Sequence, residues 1–408
     1  MQRQWMTVVI GWALLAPAVA ADDLRAAVEA AWMRAALAPA ISARQAQADA
    51  RERVAEAWFP RAPVAGFAYR RDLWTNPLGK RELEPELALP LWAPGERDAA
   101  RTLARTERSA LAPATAALRL RVAAQVRESA WALALAQADA DAAILRLDAA
   151  RALEADVARR ERAGELARAD LLMAQAEALD AQGVQAQAQA VLAGAVHDWR
   201  TLTGLPPLAP EPEPVPAGAA PAAASVAVAL STDAHPELRD RAGRVAVALA
   251  QLAQTREVRR DGPELTVSTR HDRDASGLPE RDTIRVGIRI PFDTEVRNAP
   301  RIAAASVALA EAEAELARER LRLESERHRA AESERAAMLR RALAADRRRI
   351  AEESHDLIER AFRVGERPLA DLLRARMLRE DARLEERRAQ ARFGLARARL
   401  NQSLGVMP

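Results

Sequence analysis

One stretch of this chain occurs twice. Gly164-Glu165-Leu166-Ala167-Arg168-Ala169-Asp170-Leu171-Leu172 returns as Gly365-Glu366-Arg367-Pro368-Leu369-Ala370-Asp371-Leu372-Leu373, an offset of 201 residues. The same offset carries Gly204 onto Gly405, Pro90 onto Pro291, Leu37 onto Leu238 and Val64 onto Leu265. Landmarks lying on one gap-free diagonal mean a duplicated chain, so each half must fold to the same plan. The halves run over about 21–205 and 225–408, joined by a Pro- and Ala-rich crossover at about 206–224.

Half of the residues count as hydrophobic, but only 3% are aromatic and much of the remainder is alanine. With 29% charged residues, nearly all Arg, Glu and Asp, this is the composition of long helices packed along small-residue seams. A net charge of +3 without a basic block gives no basis for nucleic-acid binding. Cysteine is absent, which excludes disulfides, thiol catalysis, cysteine metal sites and a lipid anchor on an N-terminal cysteine.

Residues 1–20 read as a signal peptide, with Arg3 ahead of an apolar stretch from Trp5 to Leu15 and Ala18-Val19-Ala20 as cleavage site. An uncleaved anchor is the competing reading, although the apolar stretch is short for a span of roughly 20 residues. Beyond Ala21 no uninterrupted apolar run is long enough to cross a bilayer as a helix; Val215 to Leu230 lacks charge but contains Pro216 and Pro221. If the exported chain enters a membrane, it must do so as β-strands.

Each half then repeats one order of elements. Asp22 to about Phe59 is helical in pattern and interrupted at Pro39. A strand from Val64 to Arg71, a loop containing Asn76-Pro77-Leu78-Gly79 and an alternating strand from Leu83 to Trp92 make a first hairpin over about 64–92. The second, over about 264–292, pairs Leu265–His271 with a strand in which Ile284, Val286, Ile288, Ile290 and Phe292 alternate with Arg285, Gly287, Arg289 and Pro291. One face of that strand suits hydrocarbon and the other water, as in a membrane barrel or the edge hairpin of a soluble sheet. Two hairpins supply four strands, fewer than the eight a membrane barrel needs, so closure requires other chains.

After each hairpin a helical tract runs from Pro94 to about Arg162 and from about Pro300 to Arg363, interrupted only by Pro113. Some 65 residues of helix extend on the order of 100 Å. In the second tract Ile302, Leu309, Leu316, Leu323, Ala330, Ala337, Ala344, Ala351 and Ile358 recur every seven residues without a charge, the pattern of a left-handed coiled coil. Gly164 and Gly365 suit the left-handed position just past a helix, and Pro368 the first turn of the next. Return helices then reach Gly204 and Gly405, so each half holds a long helical hairpin with its tip at 164–168 or 365–369.

Paired strand hairpins, paired helical hairpins and a Pro-rich crossover in an exported chain resemble the TolC family of outer-membrane efflux proteins. The resemblance runs from Asp22 to about Gly405, and the repeated G-E-x-x-x-x-D-L-L motif is its most specific part. Leu202-Thr203-Gly204-Leu205-Pro206-Pro207 and Ile288-Arg289-Ile290-Pro291-Phe292 followed by Arg297-Asn298 look most like the CzcC branch, which serves heavy-metal efflux pumps.

The resemblance implies a mainly α fold of duplicated long helical hairpins forming an α-barrel, with four strands contributing to a trimeric 12-stranded outer-membrane β-barrel. It implies a homotrimer in the outer membrane of a Gram-negative cell, with a long periplasmic extension, a periplasmic adaptor (membrane fusion protein) and an inner-membrane RND pump as partners. The activity implied is that of a passive exit duct, with heavy-metal cations among its substrates, and not of an enzyme. The tips carrying Gly164, Glu165, Leu166, Gly365, Glu366, Pro368 and Leu369 are where the family meets its adaptor. Asp371 lies where the family has a pore-lining aspartate, and Arg374 stands at the next acidic position. Asp170 and Arg367 occupy the positions of an inter-coil salt bridge, and Phe362 replaces a tyrosine. For Asp170 and Asp371 a plain alternative exists, since an acid in a first helical turn is favoured by the helix dipole. Arg367 has the alternative of a solvated tip.

His197, His235, His271, His328 and His355 include no pair at helical spacing, so no metal centre or other cofactor is expected. No nucleophile elbow or phosphate loop stands out. Two other classes fit part of the pattern: an exported soluble coiled-coil scaffold, and a periplasmic adaptor. Adaptors carry one helical hairpin inside Gly-rich β domains; this chain has two, with 16 glycines in all.

Overall fold

The computed structural model describes residues 19–35, 37–72, 79–215, 234–258, 262–292 and 295–408. The reading of 1–18 as leader, of Asn76-Pro77-Leu78 as loop and of 216–224 as crossover, together with the side chain of Arg297, lies outside the described residues.

Among the described residues seven helices and four strands follow in chain order: α1 (Val19–Arg34), α2 (Leu37–Glu56), β1 (Val64–Arg71), β2 (Arg81–Pro90), α3 (Glu96–Arg162), α4 (Arg168–Thr203), α5 (Pro236–Glu257), β3 (Glu264–Arg273), β4 (Arg281–Arg289), α6 (Glu295–Arg363) and α7 (Leu369–Ser403). The first helical region does not break at Pro39. The interruption falls between α1 and α2, and Pro39 sits in the first turn of α2, where the missing N–H has no intrahelical acceptor in any case. Pro113 and Pro300 are carried inside α3 and α6. β4 ends before Pro291, earlier than its alternating pattern suggested. No described helix is long and apolar enough to cross a membrane.

The chain forms two compact units, each assembled from both halves of the sequence. One draws on the segments up to Leu37, Leu118–Ser231 and Leu323–Pro408; the other on Ala38–Ala117 and Thr232–Arg322.

The second unit holds the sheet. Its strands lie in the order β1-β2-β3-β4, all neighbours antiparallel. Along the middle of the strands the register sorts the side chains by face. On one face stand Ala65, Phe67 and Tyr69 of β1, Leu83, Pro85, Leu87 and Leu89 of β2, Leu265, Val267 and Thr269 of β3, and Ile284, Val286 and Ile288 of β4. On the other stand Arg70, Glu82, Glu84, Glu86, Glu264, Arg270, Arg285 and Arg289. The polar face is knitted by ion pairs: buried Glu82 lies between Arg70, at 3.8 Å, and Arg270, while Arg285 meets Glu84 at 3.4 Å and Arg289 meets Glu264 at 3.2 Å. The apolar face is bare, with Phe67 72% and Ile284 73% exposed. The β2–β3 ladder skips Glu84 and Pro85, since a proline has no N–H to donate.

Around the sheet, α2 is tied to α3 by Arg51–Glu107 and by Arg108–Glu52 at 2.5 Å. α5 is tied to α6 by Arg241–Glu315 at 2.7 Å and by Arg322–Glu237. In α6 every position of the seven-residue series from Ile302 to Ile358 is buried or half-buried. A second series with the same spacing, Leu343, Ile350, Leu357 and Val364, is exposed.

The first unit has small-residue packing and one buried charge lock. Gly394 of α7 lies so close to the Trp131 ring of α3 that a Cβ there would sit 1.9 Å from it. Arg127, 2% exposed, grips both carboxylate oxygens of Glu213 at 2.7 and 2.6 Å and also donates to Gln402 at 2.7 Å and to the Val406 carbonyl at 3.0 Å. Asn401 donates to Glu213 and to the Pro214 carbonyl, each at 3.1 Å. The start of the crossover is thereby fastened to α3 and to the C-terminal end of the chain.

Candidate gate at the helical tips

Both long helices end in the same way because glycine permits the same backbone. Gly164 has φ 78° and Gly365 φ 81°. The amide of Glu165 donates to the Arg160 carbonyl at 2.9 Å, and that of Glu366 to the Ala361 carbonyl at 2.9 Å. Gly164 donates to Glu161 at 2.9 Å and Gly365 to Phe362 at 3.1 Å. Each pair of bonds satisfies helix-end carbonyls that would otherwise lack partners. Open space surrounds the place of a Cβ at either glycine, so backbone geometry alone accounts for them.

The two tips share a core. Leu153 and Val157 of α3, Leu171 and Ala174 of α4, Phe362 of α6, and Leu369 and Leu372 of α7 form one buried cluster, with Leu166 and Ile358 against its edge. The copies have exchanged a leucine: the first half has Leu166 and Arg168 where the second has Arg367 and Leu369. Leu369, grouped by its motif with the adaptor-docking surface, is 2% exposed and belongs to this core. Gly164, Glu165, Gly365, Glu366 and Pro368 remain on the surface, and Leu166 is half-buried.

Phe362 packs inside the core, with the Arg160 guanidinium 5.0 Å from its ring centroid. Arg160 also donates to Glu165 at 3.1 Å, so one arginine joins the α3 tip to the α6 end. That role is invisible in sequence, where Arg160 is one of a run of tip arginines.

The motif aspartates have separated in function. Asp170 accepts from the backbone N–H of Ala167 at 3.1 Å, closing the first turn of α4. At the matching position of α7 stands Pro368, which has no N–H. Asp371 instead accepts from Arg367 at 3.2 Å, four residues earlier. Within the chain Asp170 and Arg367 are therefore each engaged elsewhere and are not paired with one another. Arg374, one turn beyond Asp371, is exposed and makes no ion pair among the described residues.

Above the tip, ion pairs fill the space between α6 and α7. Arg376 lies 3.6 Å from Glu359, and its burial pushes its own pKa down. Arg383 meets Glu352 at 2.8 Å, and Arg348 meets Glu386 at 2.7 Å. Hydrogen bonding from Arg383 holds the Glu352 carboxyl below the usual range. His355, Asp356 and Glu359 place one donor atom each within 4.8 Å of one another, a grouping that histidine spacing alone does not reveal. Arg379 lies 3.0 Å from His355 Nδ1, Asp356 3.1 Å from the same nitrogen, and Arg376 3.6 Å from Glu359, while His355 Nε2 is buried without a partner. The cluster links α6 to α7 through Arg376 and Arg379.

Comparison with known proteins bears on the whole chain. Residues 229–406 match the model of the outer membrane efflux protein family. No curated protein matches the chain. Among solved structures, the outer membrane protein VceC from Vibrio cholerae superposes with a TM-score of 0.73 at 17% identity, covering 94% of this chain and 96% of that one. CusC gives 0.76 at 16% identity, with 94% and 92% covered. The MtrE outer membrane channel of Neisseria gonorrhoeae gives 0.69 at 16% identity, with 94% and 89% covered. The fold is thus that of TolC-like outer-membrane channels.

Proposed function

We propose that the chain is an outer-membrane exit duct of a tripartite efflux system, working as a homotrimer with a periplasmic adaptor and an inner-membrane RND pump. One observation carries this: the four-stranded sheet presents an apolar band from Leu265 and Leu89 to Tyr69 and Leu83 that nothing covers among the described residues, while its opposite face is charged and internally paired. A soluble sheet would bury that apolar face in its own core. A strand set with one lipid face and one aqueous face is the repeat unit of a membrane barrel. Its edges, β1 and β4, lack further neighbours among the described residues, and exposed edges are avoided unless something pairs with them. Three copies edge to edge would supply 12 strands. The exposed series Leu343, Ile350, Leu357 and Val364 on α6 offers a seven-residue seam for a helix of the next copy.

In this reading the duct conducts passively and catalyses nothing. The tips form its resting closure: Asp170, Arg367, Asp371 and Arg374 supply the charges, and Phe362 the apolar anchor beneath them. Gly164, Glu165, Leu166, Gly365, Glu366 and Pro368 would face the adaptor. Likeness to the CzcC branch points to heavy-metal cations as cargo. Fractionation of cells expressing the full chain tests the assignment. A duct will appear in the outer membrane, need detergent for extraction and run as a heat-labile trimer. A monomer recovered from the aqueous fraction would instead establish the soluble coiled-coil scaffold.

A further inference from the structure

The sheet register brings together three arginines that no local pattern connects. Arg71 of β1 pairs with Arg81 of β2, and Arg81 pairs with Arg273 of β3. Directly opposed residues of antiparallel strands project to the same face with Cβ atoms about 4.5–5.5 Å apart, where like charges destabilise the sheet. By alternation this row belongs to the hydrocarbon face. It lies one step beyond Tyr69, Leu83 and His271, which themselves follow Phe67, Pro85, Thr269 and Ile284. The row therefore closes the apolar band at the hairpin-loop end of the strands, away from the ends joined to the helices.

None of the three forms an ion pair among the described residues, whereas Arg70, Arg270, Arg285 and Arg289 on the opposite face all do. The neighbouring acids are engaged otherwise. Asp72 accepts from the Lys80 amide at 3.0 Å, Asp274 lies 3.9 Å from Arg281, and Asp282 holds His271 at 2.5 Å. Glu82 and Asp272 point to the opposite face. Glu280, just before β4, makes no ion pair among the described residues. Arg273 Nε is buried without a hydrogen-bond partner.

We propose that Arg71, Arg81 and Arg273 form a binding site for the phosphate groups of a lipid in the leaflet on the hairpin-loop side. The inference rests on the reading of the sheet as membrane-inserted. At that boundary the guanidiniums reach the headgroup layer while their stems cover hydrocarbon. An aromatic such as Tyr69 marks the same level. The planar fork of arginine matches phosphate oxygens with two bonds, and a phosphate between neighbouring arginines converts repulsion into attraction.

The test uses full-length protein in a neutral detergent, with native mass spectrometry as readout. Three additives are compared: phosphorylated lipid A, its dephosphorylated form and inorganic phosphate. The phosphorylated lipid should be retained on the order of tenfold better than the dephosphorylated one. Arg71→Gln/Arg81→Gln/Arg273→Gln should abolish that preference, and Arg285→Gln on the opposite face should leave it intact. Equal retention of both lipids, or a preference surviving in the triple variant, would overturn the site. So would an equal loss in Arg285→Gln, or displacement of the lipid by inorganic phosphate at matched concentration. If the triple variant does not assemble, Arg81→Gln, in the middle of the row, carries the same comparison. Failure of the membrane reading itself shows separately, as protein that stays in solution without detergent before any lipid is added.

Discussion

Asp371 accepts a hydrogen bond from Arg367 at 3.2 Å, whereas its counterpart Asp170 accepts from the backbone of Ala167 at 3.1 Å. Two neighbouring replacements separate them: Pro368 cannot offer the N–H that Ala167 does, and Arg367 stands where the first half has Leu166. The first aspartate serves the local fold, and the second is held by a side chain that can let go.

If the tips close the duct, Arg367→Ala should release Asp371 and loosen the closure, and Asp170→Ala with Arg367→Ala should loosen it further. Single-channel conductance in planar bilayers should rise in that order. A resting conductance identical to that of the parent protein would remove these residues from the gate.

Phe362 anchors the shared core of the tips, so its truncation should act on stability at that end. Phe362→Ala is expected to destabilise the tip by about 3–5 kcal/mol, and Arg160→Ala, which removes only the ring contact and one exposed bond, by about 0.5–1 kcal/mol. Limited proteolysis followed by N-terminal sequencing should find new cleavage near Gly164 and Gly365 in the first variant. Unchanged protection would show that the cluster is dispensable.

The Arg127–Glu213 lock should behave as a buried ion pair. Arg127→Ala leaves the buried Glu213 carboxylate with Asn401 as its remaining donor and removes the arginine bonds to Gln402 and the Val406 carbonyl, and breaking such a pair costs about 3–5 kcal/mol. Arg127→Met with Glu213→Leu should recover much of that loss in thermal unfolding. A double variant no better than the single would mean that the tie to the C-terminal end matters more than the charge.

Acid should weaken the cluster that Glu319 forms with Arg322 of its own helix, α6, and with Glu237 of α5. Its bond to Arg322 holds the carboxyl down to about 2, from an ordinary 4.5. A depressed acid contributes stability in full above 4.5 and loses it as the pH falls toward 2. Glu319→Gln should therefore lower the melting temperature at neutral pH and converge with the parent near pH 2. Parallel melting curves across that window would contradict the assignment.

Local patterns carried the elements well. Alternation in Ile284–Phe292 and the seven-residue series from Ile302 both describe faces that a strand or helix must bury or expose wherever its neighbours lie. The glycines at 164 and 365 were legible for the same reason, since a left-handed residue after a helix is a local demand. The break near Pro39 was misplaced because a first-turn proline looks like an interior one until the preceding helix end is known. What joins distant segments was not legible. Arg127 meets Glu213 across 86 positions, and Arg160 meets Phe362 across the two halves, with nothing in either local stretch to single them out. The row Arg71, Arg81 and Arg273 exists only once the strand register is fixed. Leu369 was grouped with the docking surface because it belongs to the 365–369 tip, and only the packed tips reveal that it is buried in their core.

The open edges of the sheet have a kinetic consequence. If the chain works as the proposed trimer, its first and last strands, which have no outer neighbours among the described residues, find them only on other chains, so the final folding step is a collision between chains and slows with dilution. Until that encounter the apolar face needs an escort. One defective copy would then disable the sound copies it joins, and such an allele would act dominantly.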